Sequence, residues 1–349
     1  MARLSTECPA IICLLYKQRL AELIVGVLPI SLHIIIYILM LLSILMIIGG
    51  IVVVLWGADR LTDGAVGIAE RLRMPQIVIG LTIVAVGTSM PEFCVSLVSA
   101  LKGTPDLAVG NVVGSNVFNA LLIVGITAMV APMTILKTTV RKDIPFAIIA
   151  SVTMAFMCID GNISRIDAIV LFALFLYFMV VTVRGAKVSD SEETPQKAPM
   201  GVWKAIGLIV LGLACLVGGS NVFVTGATDV AQSLGVSQAV IGLTVVAMGT
   251  SLPELATSVV SARKGNSGIA IGNVLGSNVF NILMILGITG IISPMNIQGI
   301  TLADLFMMTG SVMLLWLFSF TKLTIERWEG AVLTVIFIGY ISYLVAGVV

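Results

Sequence analysis

Glu92 and Glu254 are carboxylates set in apolar runs long enough to cross a bilayer, and each directly follows a proline. Gly87 to Glu92 reads Gly-Thr-Ser-Met-Pro-Glu, and Gly249 to Glu254 reads Gly-Thr-Ser-Leu-Pro-Glu. An ionisable side chain at mid-membrane costs roughly 2.5–3.5 kcal/mol on insertion scales, so it faces protein or water and marks an ion or substrate path. Proline lacks the N–H that would bond the carbonyl four residues back, so Pro91 and Pro253 free the carbonyls of Gly87 and Gly249. Non-helical backbone at membrane depth is tolerated where it lines a cavity, and in transporters such breaks supply oxygens to ions. The two glutamates, with nearby carbonyls and the hydroxyls of Thr88, Ser89, Thr250 and Ser251, read as two halves of one cation site. The alternative is a pair of packing kinks beside ion-paired glutamates. It fits poorly, because no Lys or Arg lies within these spans.

The duplication extends well beyond six residues. Thr250 stands 162 residues after Thr88, and this register holds without a gap to Pro132 and Pro294, with more than half of the positions identical. On a 3.6-residue period, Ala85, Thr88, Ser89, Glu92, Ser96 and Ser99 form one polar stripe; Ala247, Thr250, Ser251, Glu254, Ser258 and Ser261 form another. A stripe continuing past the carboxylate suggests a lined path. A second element, Gly110 to Asn119, Gly-Asn-Val-Val-Gly-Ser-Asn-Val-Phe-Asn, returns at Gly272 to Asn281 with Leu275 in place of Val113. Asn111, Ser115 and Asn119 fall four apart on one helical face, as do Asn273, Ser277 and Asn281. A hard cation wants several oxygens, and two carboxylates are too few. Ser115, Asn119, Ser277 and Asn281 are therefore candidate ligands, whereas the glycines, Asn116 and Asn278 read as helix packing.

The elements that must position these residues are membrane helices. With 58% hydrophobic and 11% charged residues among 349, the chain lies far outside globular composition, and its apolar runs mark an all-α integral membrane protein. A net charge of +1 gives no sign of a nucleic-acid partner. The five cysteines lack metal-ligand or redox spacing and read as small core residues. Ten helices are predicted, near 40–58, 75–101, 106–131, 144–160, 166–183, 202–220, 237–262, 268–293, 303–321 and 329–348. Short amphipathic segments follow the first and sixth, at Asp59 to Arg73 and Ser220 to Gly235. Residues 40–183 form one repeat, the polar stretch 184–200 a linker, and 201–349 the second repeat. Residues 1–39 stand apart as a mis-assigned start ahead of Met40, a cleaved signal or an extra helix holding Pro29 and His33, the sole histidine.

Five spans per repeat, an odd number, make the second repeat enter from the opposite side, so the repeats are predicted to be inverted, with a site at their midplane interface. Arg60, Arg71, Arg73, Lys137, Arg141, Lys142, Arg184, Lys187, Lys197, Lys204, Arg263, Lys264, Lys322 and Arg327 then fall on one side, and only Lys102 and Arg165 on the other. The positive-inside rule makes the linker cytoplasmic and turns both ends of the ten-helix core outward. Arg3, Lys17 and Arg19 run against that orientation.

The paired elements resemble the alpha repeats of the sodium/calcium exchanger family, of prokaryotic type, within the calcium/cation antiporter superfamily, over roughly residues 40–349. The resemblance implies a ten-helix inverted-repeat antiporter that moves Ca²⁺ against Na⁺ by alternating access, with no cofactor and no enzymatic activity. It implies Glu92 and Glu254 as central ligands, completed by Thr88, Ser89, Thr250, Ser251, the carbonyls of Ala85 and Ala247, and Ser115, Asn119, Ser277 and Asn281. Some microbial relatives carry an aspartate where Asn281 stands, as do potassium-dependent ones, and the short linker has no counterpart of the animal calcium-sensing domains. Proton- or potassium-coupled calcium antiport is the runner-up, since such relatives share the architecture. Glycines on the first and sixth helices, Gly49, Gly50, Gly57, Gly212, Gly218 and Gly219, fit a sliding pair or static packing equally. An intramembrane hydrolase lacks a His-Glu-x-x-His element, and a passive channel suits inverted repeats with broken helices less well than alternating access does.

Overall fold

The computed structural model describes residues 8–186, 200–235, 247–320 and 322–346, with side chains from 37 onward except at 186 and 247. The side chains of Arg3, Lys17, Arg19, His33, Cys8 and Cys13, the linker 187–199 and the stretch 236–246 lie outside that description.

The chain is helical nearly throughout. The first half contains α1 (Cys8–Leu72), α2 (Gln76–Thr88), α3 (Met90–Leu101), α4 (Pro105–Val130), α5 (Ile144–Met157) and α6 (Arg165–Ala186). The second contains α7 (Val202–Ser233), α8 (Ala247–Thr250), α9 (Leu252–Arg263), α10 (Ser267–Ile292), α11 (Leu302–Ser319) and α12 (Arg327–Ala346). Among the described residues, seven helices are long and apolar enough to cross a membrane, or eight if the bent pair α2–α3 counts as one span. The protein is an integral membrane protein. Its outer faces carry Leu, Ile, Val and Phe side chains, while Thr, Ser, Asn, Asp304 and the glutamates Glu92, Glu254 and Glu329 are buried within. That inversion of the soluble pattern is what a lipid solvent dictates.

Two predicted boundaries change. The amphipathic segments after the first and sixth predicted helices are not separate: α1 runs unbroken through Asp59 to Leu72, and α7 through Ser220 to Ser233. Neither stretch contains a proline, so nothing in the backbone forces a break. Of the described cysteines, Cys158 is buried as expected, Cys215 is half-buried, and Cys94 is exposed on α3, so the core reading fails for Cys94.

Contacts come in pairs related by the 162-residue register, and they cross between the halves. Two-residue strands β1 (Met133–Thr134), β2 (Asn162–Ile163), β3 (Met295–Asn296) and β4 (Thr324–Ile325) pair antiparallel as β1 with β4 and β2 with β3. Met133 faces Ile325, and its counterpart Met295 faces Ile163. Likewise α4 packs on α12 at Gly125 and Gly330, and α10 packs on α6 at Gly287 and Phe172. At the centre, α4 and α10 are the most deeply buried spans.

The largest contact between two described elements joins α1 and α7. Their seam is built from Gly50, Gly57 and Gly64 against Gly212, Gly219 and Gly226, seven residues apart on each helix. A Cβ on Gly212 would lie 2.6 Å from the backbone nitrogen of Leu61, so only glycine permits this approach. Gly49 and Gly218, also considered for a sliding pair, face open space. Beyond the seam, Thr62 Oγ1 meets Ser261 Oγ at 3.0 Å, and Lys264 Nζ reaches Asp63 at 2.7 Å and also Asp59, tying α1 to the end of α9.

Gly212→Val should therefore cost about 1–3 kcal/mol through overpacking and lower the melting temperature in detergent by several degrees. Gly207→Val on the open face of the same helix should leave it unchanged. Equal melting of the two variants would contradict the seam.

Candidate cation-binding site

The site is built where helices break. α2 and α3 meet at an angle of 47° across Ser89, with Pro91 in the first turn of α3, where its missing N–H costs nothing. α8 and α9 repeat the arrangement around Ser251, with Pro253 in the first turn of α9. Each break places its glutamate in the opening turn of a helix, where unpaired backbone N–H groups favour negative charge. Both carboxylates are 1% exposed.

The two halves are joined by exchanged hydrogen bonds. Ser89 Oγ donates to Glu254 Oε1 at 2.9 Å, and Ser251 Oγ donates to Glu92 Oε1 at 2.9 Å. Ser251 Oγ also lies 3.3 Å from Ser115 Oγ, and Ser277 Oγ lies 3.5 Å from Glu254 Oε1. Thr88 Oγ1 is 3.1 Å from the carbonyl of Val84 and 3.4 Å from that of Ala85, which also accepts from Ser89 N at 3.0 Å. Ala247 lies in α8 at the equivalent place in the second half. Thr250, in the same short helix, is likewise engaged.

Four of the buried oxygens without a protein partner are Glu92 Oε2, Glu254 Oε2, Asn119 Oδ1 and Asn281 Oδ1. A buried acceptor left unpaired costs about 1–3 kcal/mol, more when charged. Each belongs to a residue predicted as a ligand, and together they form two carboxylate and two amide oxygens suited to a hard cation. Among the described residues no group of three or more His, Cys, Asp or Glu is placed to hold a metal ion.

Sequence reasoning missed two features. Phe118–Ile123 and Phe280–Ile285 are π-helical, and they contain Asn119 and Asn281. The wider bonding runs from the asparagine carbonyls to Val124 and Leu286, and nothing in hydrophobic periodicity marks it; such insertions occur often at functional sites. Asn111 and Asn273, one turn before the candidate serines Ser115 and Ser277, bind the carbonyls of Glu92 and Glu254, each at 3.2 Å. Their spacing from Ser115 and Ser277 was the available signal. Asn116 is partly explained as packing, its amide donating to Val112 O at 2.7 Å. Asn278 is buried with neither amide atom bonded, and nothing in the structure explains it.

A helical membrane protein with broken helices, buried paired carboxylates and convergent oxygens is a cation transporter by class. The profile of the sodium/calcium exchanger protein family matches residues 42–184 and again 204–346, and the chain belongs to that family. It is 39% identical over 312 residues to the putative antiporter CaxA of Alkalimonas amylolytica, covering 86% of this chain and 98% of that one. It is 31% identical to the sodium/calcium exchanger MaX1 of Methanosarcina acetivorans, covering 84% and 96%. Among solved structures it is similar to the sodium-calcium exchanger NCX_Mj soaked with Na⁺ and Ca²⁺, with a TM-score of 0.76, 29% identity and coverage of 86% and 98%. The protein is a transmembrane antiporter of cations.

Ser89→Ala and Ser251→Ala each remove a hydroxyl that joins the halves. A hydrogen bond to a charged group contributes about 1.5–3 kcal/mol, so each variant should raise the calcium concentration that half-saturates transport about tenfold to a hundredfold. Unchanged half-saturation in both would show that these serines are not part of the site.

Proposed function

We propose that the chain exchanges Ca²⁺ for Na⁺ by alternating access, with the ions held at the interface of two inverted five-helix repeats. The single observation that carries this reading is the exchanged pair Ser89 to Glu254 and Ser251 to Glu92, beside carboxylate and amide oxygens with no protein partner. Two carboxylates give the site a charge of about −2. One Ca²⁺ or a set of Na⁺ ions neutralises it, and Coulomb repulsion at low dielectric opposes both together. Mutual exclusion at one site is the basis of antiport. If three Na⁺ exchange for one Ca²⁺, one net charge crosses per cycle, worth about 2.3 kcal/mol per 100 mV.

The ligand set is Glu92, Glu254, Thr88, Ser89, Thr250, Ser251, Ser115, Asn119, Ser277 and Asn281, with the carbonyls of Ala85 and Ala247. The repeats are residues 40–183 and 201–349, joined by the 184–200 linker. Five segments per repeat, counting α2–α3 and α8–α9 as single broken spans, give ten. Support for inversion comes from the crossed strand pairs and the crossed packing of α4 on α12 and α10 on α6. The Lys and Arg distribution favours a cytoplasmic linker with both ends of the core facing outward, and the compact chain with its short linker favours a prokaryotic inner membrane.

In proteoliposomes loaded with Na⁺, K⁺ or H⁺ in turn, calcium-45 uptake should follow the Na⁺ gradient, and Glu92→Gln or Glu254→Gln should abolish it at matched insertion. Near-normal flux in either variant, or uptake driven by the proton gradient alone, would overturn the reading.

Asn119 and Asn281 are neutral, so the site lacks the further charge that would hold K⁺ alongside Ca²⁺. Replacing K⁺ by choline should leave the initial Na⁺-driven rate unchanged. A rate that saturates with K⁺ on the calcium side would contradict this.

A further inference from the structure

Asn273 lies on α10, fully buried, and all three of its polar contacts leave its own helix. Its Nδ2 donates to the backbone carbonyl of Glu254 at 3.2 Å and to Ser258 Oγ at 3.1 Å. Its Oδ1 accepts from Thr88 Oγ1 at 3.1 Å. The carbonyl can only accept, which fixes the amide nitrogen on the α9 side and leaves the oxygen for Thr88. One rigid planar group thus joins a hydroxyl of the first half's broken helix to the glutamate segment of the second. Asn111 makes the matching contacts, to Glu92 O at 3.2 Å and Ser96 Oγ at 2.9 Å.

We infer that Asn273 is a positioning residue that directs the Thr88 hydroxyl and couples it to Glu254, so that cation binding at one is felt at the other. The inference rests on reading Thr88 and Glu254 as ligands of the transported cation. A threonine hydroxyl has one proton and two lone pairs. With the proton given to Asn273, the lone pairs are free for a cation and the Ala85 carbonyl keeps acceptor capacity. Without Asn273, the proton turns to the nearby carbonyls of Val84 or Ala85, the back-bond open to a helical threonine. That rotation points the lone pairs elsewhere. The same amide holds Ser258, whose hydroxyl proton then faces Ala270 O at 3.5 Å. Interhelical packing alone would not require the donor and acceptor sides of the amide to serve ligand segments from opposite halves.

The test is a double-mutant cycle on purified full-length protein, with Asn273→Ala, Thr88→Ala and the pair. The readouts are the Ca²⁺ concentration that half-saturates thermal stabilisation and the melting temperature without ions. Asn273→Ala should raise half-saturating Ca²⁺ about tenfold, the weight of one ordinary hydrogen bond, and should have no further effect once Thr88→Ala is present. Equal factors on both backgrounds, or a change confined to ion-free melting, would overturn the inference and leave Asn273 a packing residue. If Asn273→Ala does not fold, Asn273→Ser carries the same cycle. Unmodified protein that does not respond to Ca²⁺ would overturn the reading of the site, and this inference with it; a response with an additive cycle overturns only the coupling.

Discussion

Two carboxylates held at 1% exposure inside a membrane protein are the constraint from which the rest of the structure follows. Neither has a basic partner among the described residues, and moving an unpaired carboxylate out of water costs several kcal/mol even after the protein relaxes. Each receives one serine hydroxyl from the other half and keeps a second oxygen with no protein partner. The helix breaks at Ser89 and Ser251 bring those serines within reach and set each glutamate in a helix's opening turn. A continuous helix would satisfy its own backbone and hold the serines in line with their own glutamates. The architecture therefore spends regular hydrogen bonding to gain a concentration of oxygens, a sensible exchange only where a cation binds.

Packing around this centre keeps the broken backbone from lipid. α4 and α10 carry the proposed amide ligands and are largely enclosed, so both faces of each must fit protein. Small residues make that possible, as at Gly80 against Gly272, where added side chains would strike neighbouring backbone. The α1–α7 seam has a different character. It lies outside this core, depends on glycines seven residues apart, and is tied to α9 by the Thr62–Ser261 contact and the Lys264 ion pairs. Exposed ion pairs contribute little on their own. Their place, at the end of the helix that begins with Glu254, ties a large outer pair of helices to the site.

Much of this was legible in the sequence because lipid leaves few options. A proline beside a carboxylate in an apolar run must be a buried break, and the 162-residue register placed every candidate ligand twice. The sequence also showed which residues share a face, and the structure brings Thr88, Ser89, Glu92, Ser251 and Glu254 together as those stripes require. What escaped was set by backbone detail that periodicity does not encode. The π-helical turns at Asn119 and Asn281 widen the helix by one residue without changing composition. The positioning amides Asn111 and Asn273 looked like members of a ligand stripe, and only the contacts to Glu92 O and Glu254 O separate holding a ligand segment from being one. Continuity of α1 past Asp59 was hidden because an amphipathic tail and a separate surface helix have the same pattern.

The central claim is that one shared site, neutralised by either ion, lies between the two halves. Equilibrium calcium-45 binding to the purified protein, titrated with Na⁺ at constant ionic strength, tests it directly. A single Ca²⁺ per chain should be displaced completely by Na⁺, with a Hill coefficient above one, because several monovalent ions replace one divalent ion. Calcium that stays bound at saturating Na⁺, or that is displaced no better by Na⁺ than by choline, would contradict the account.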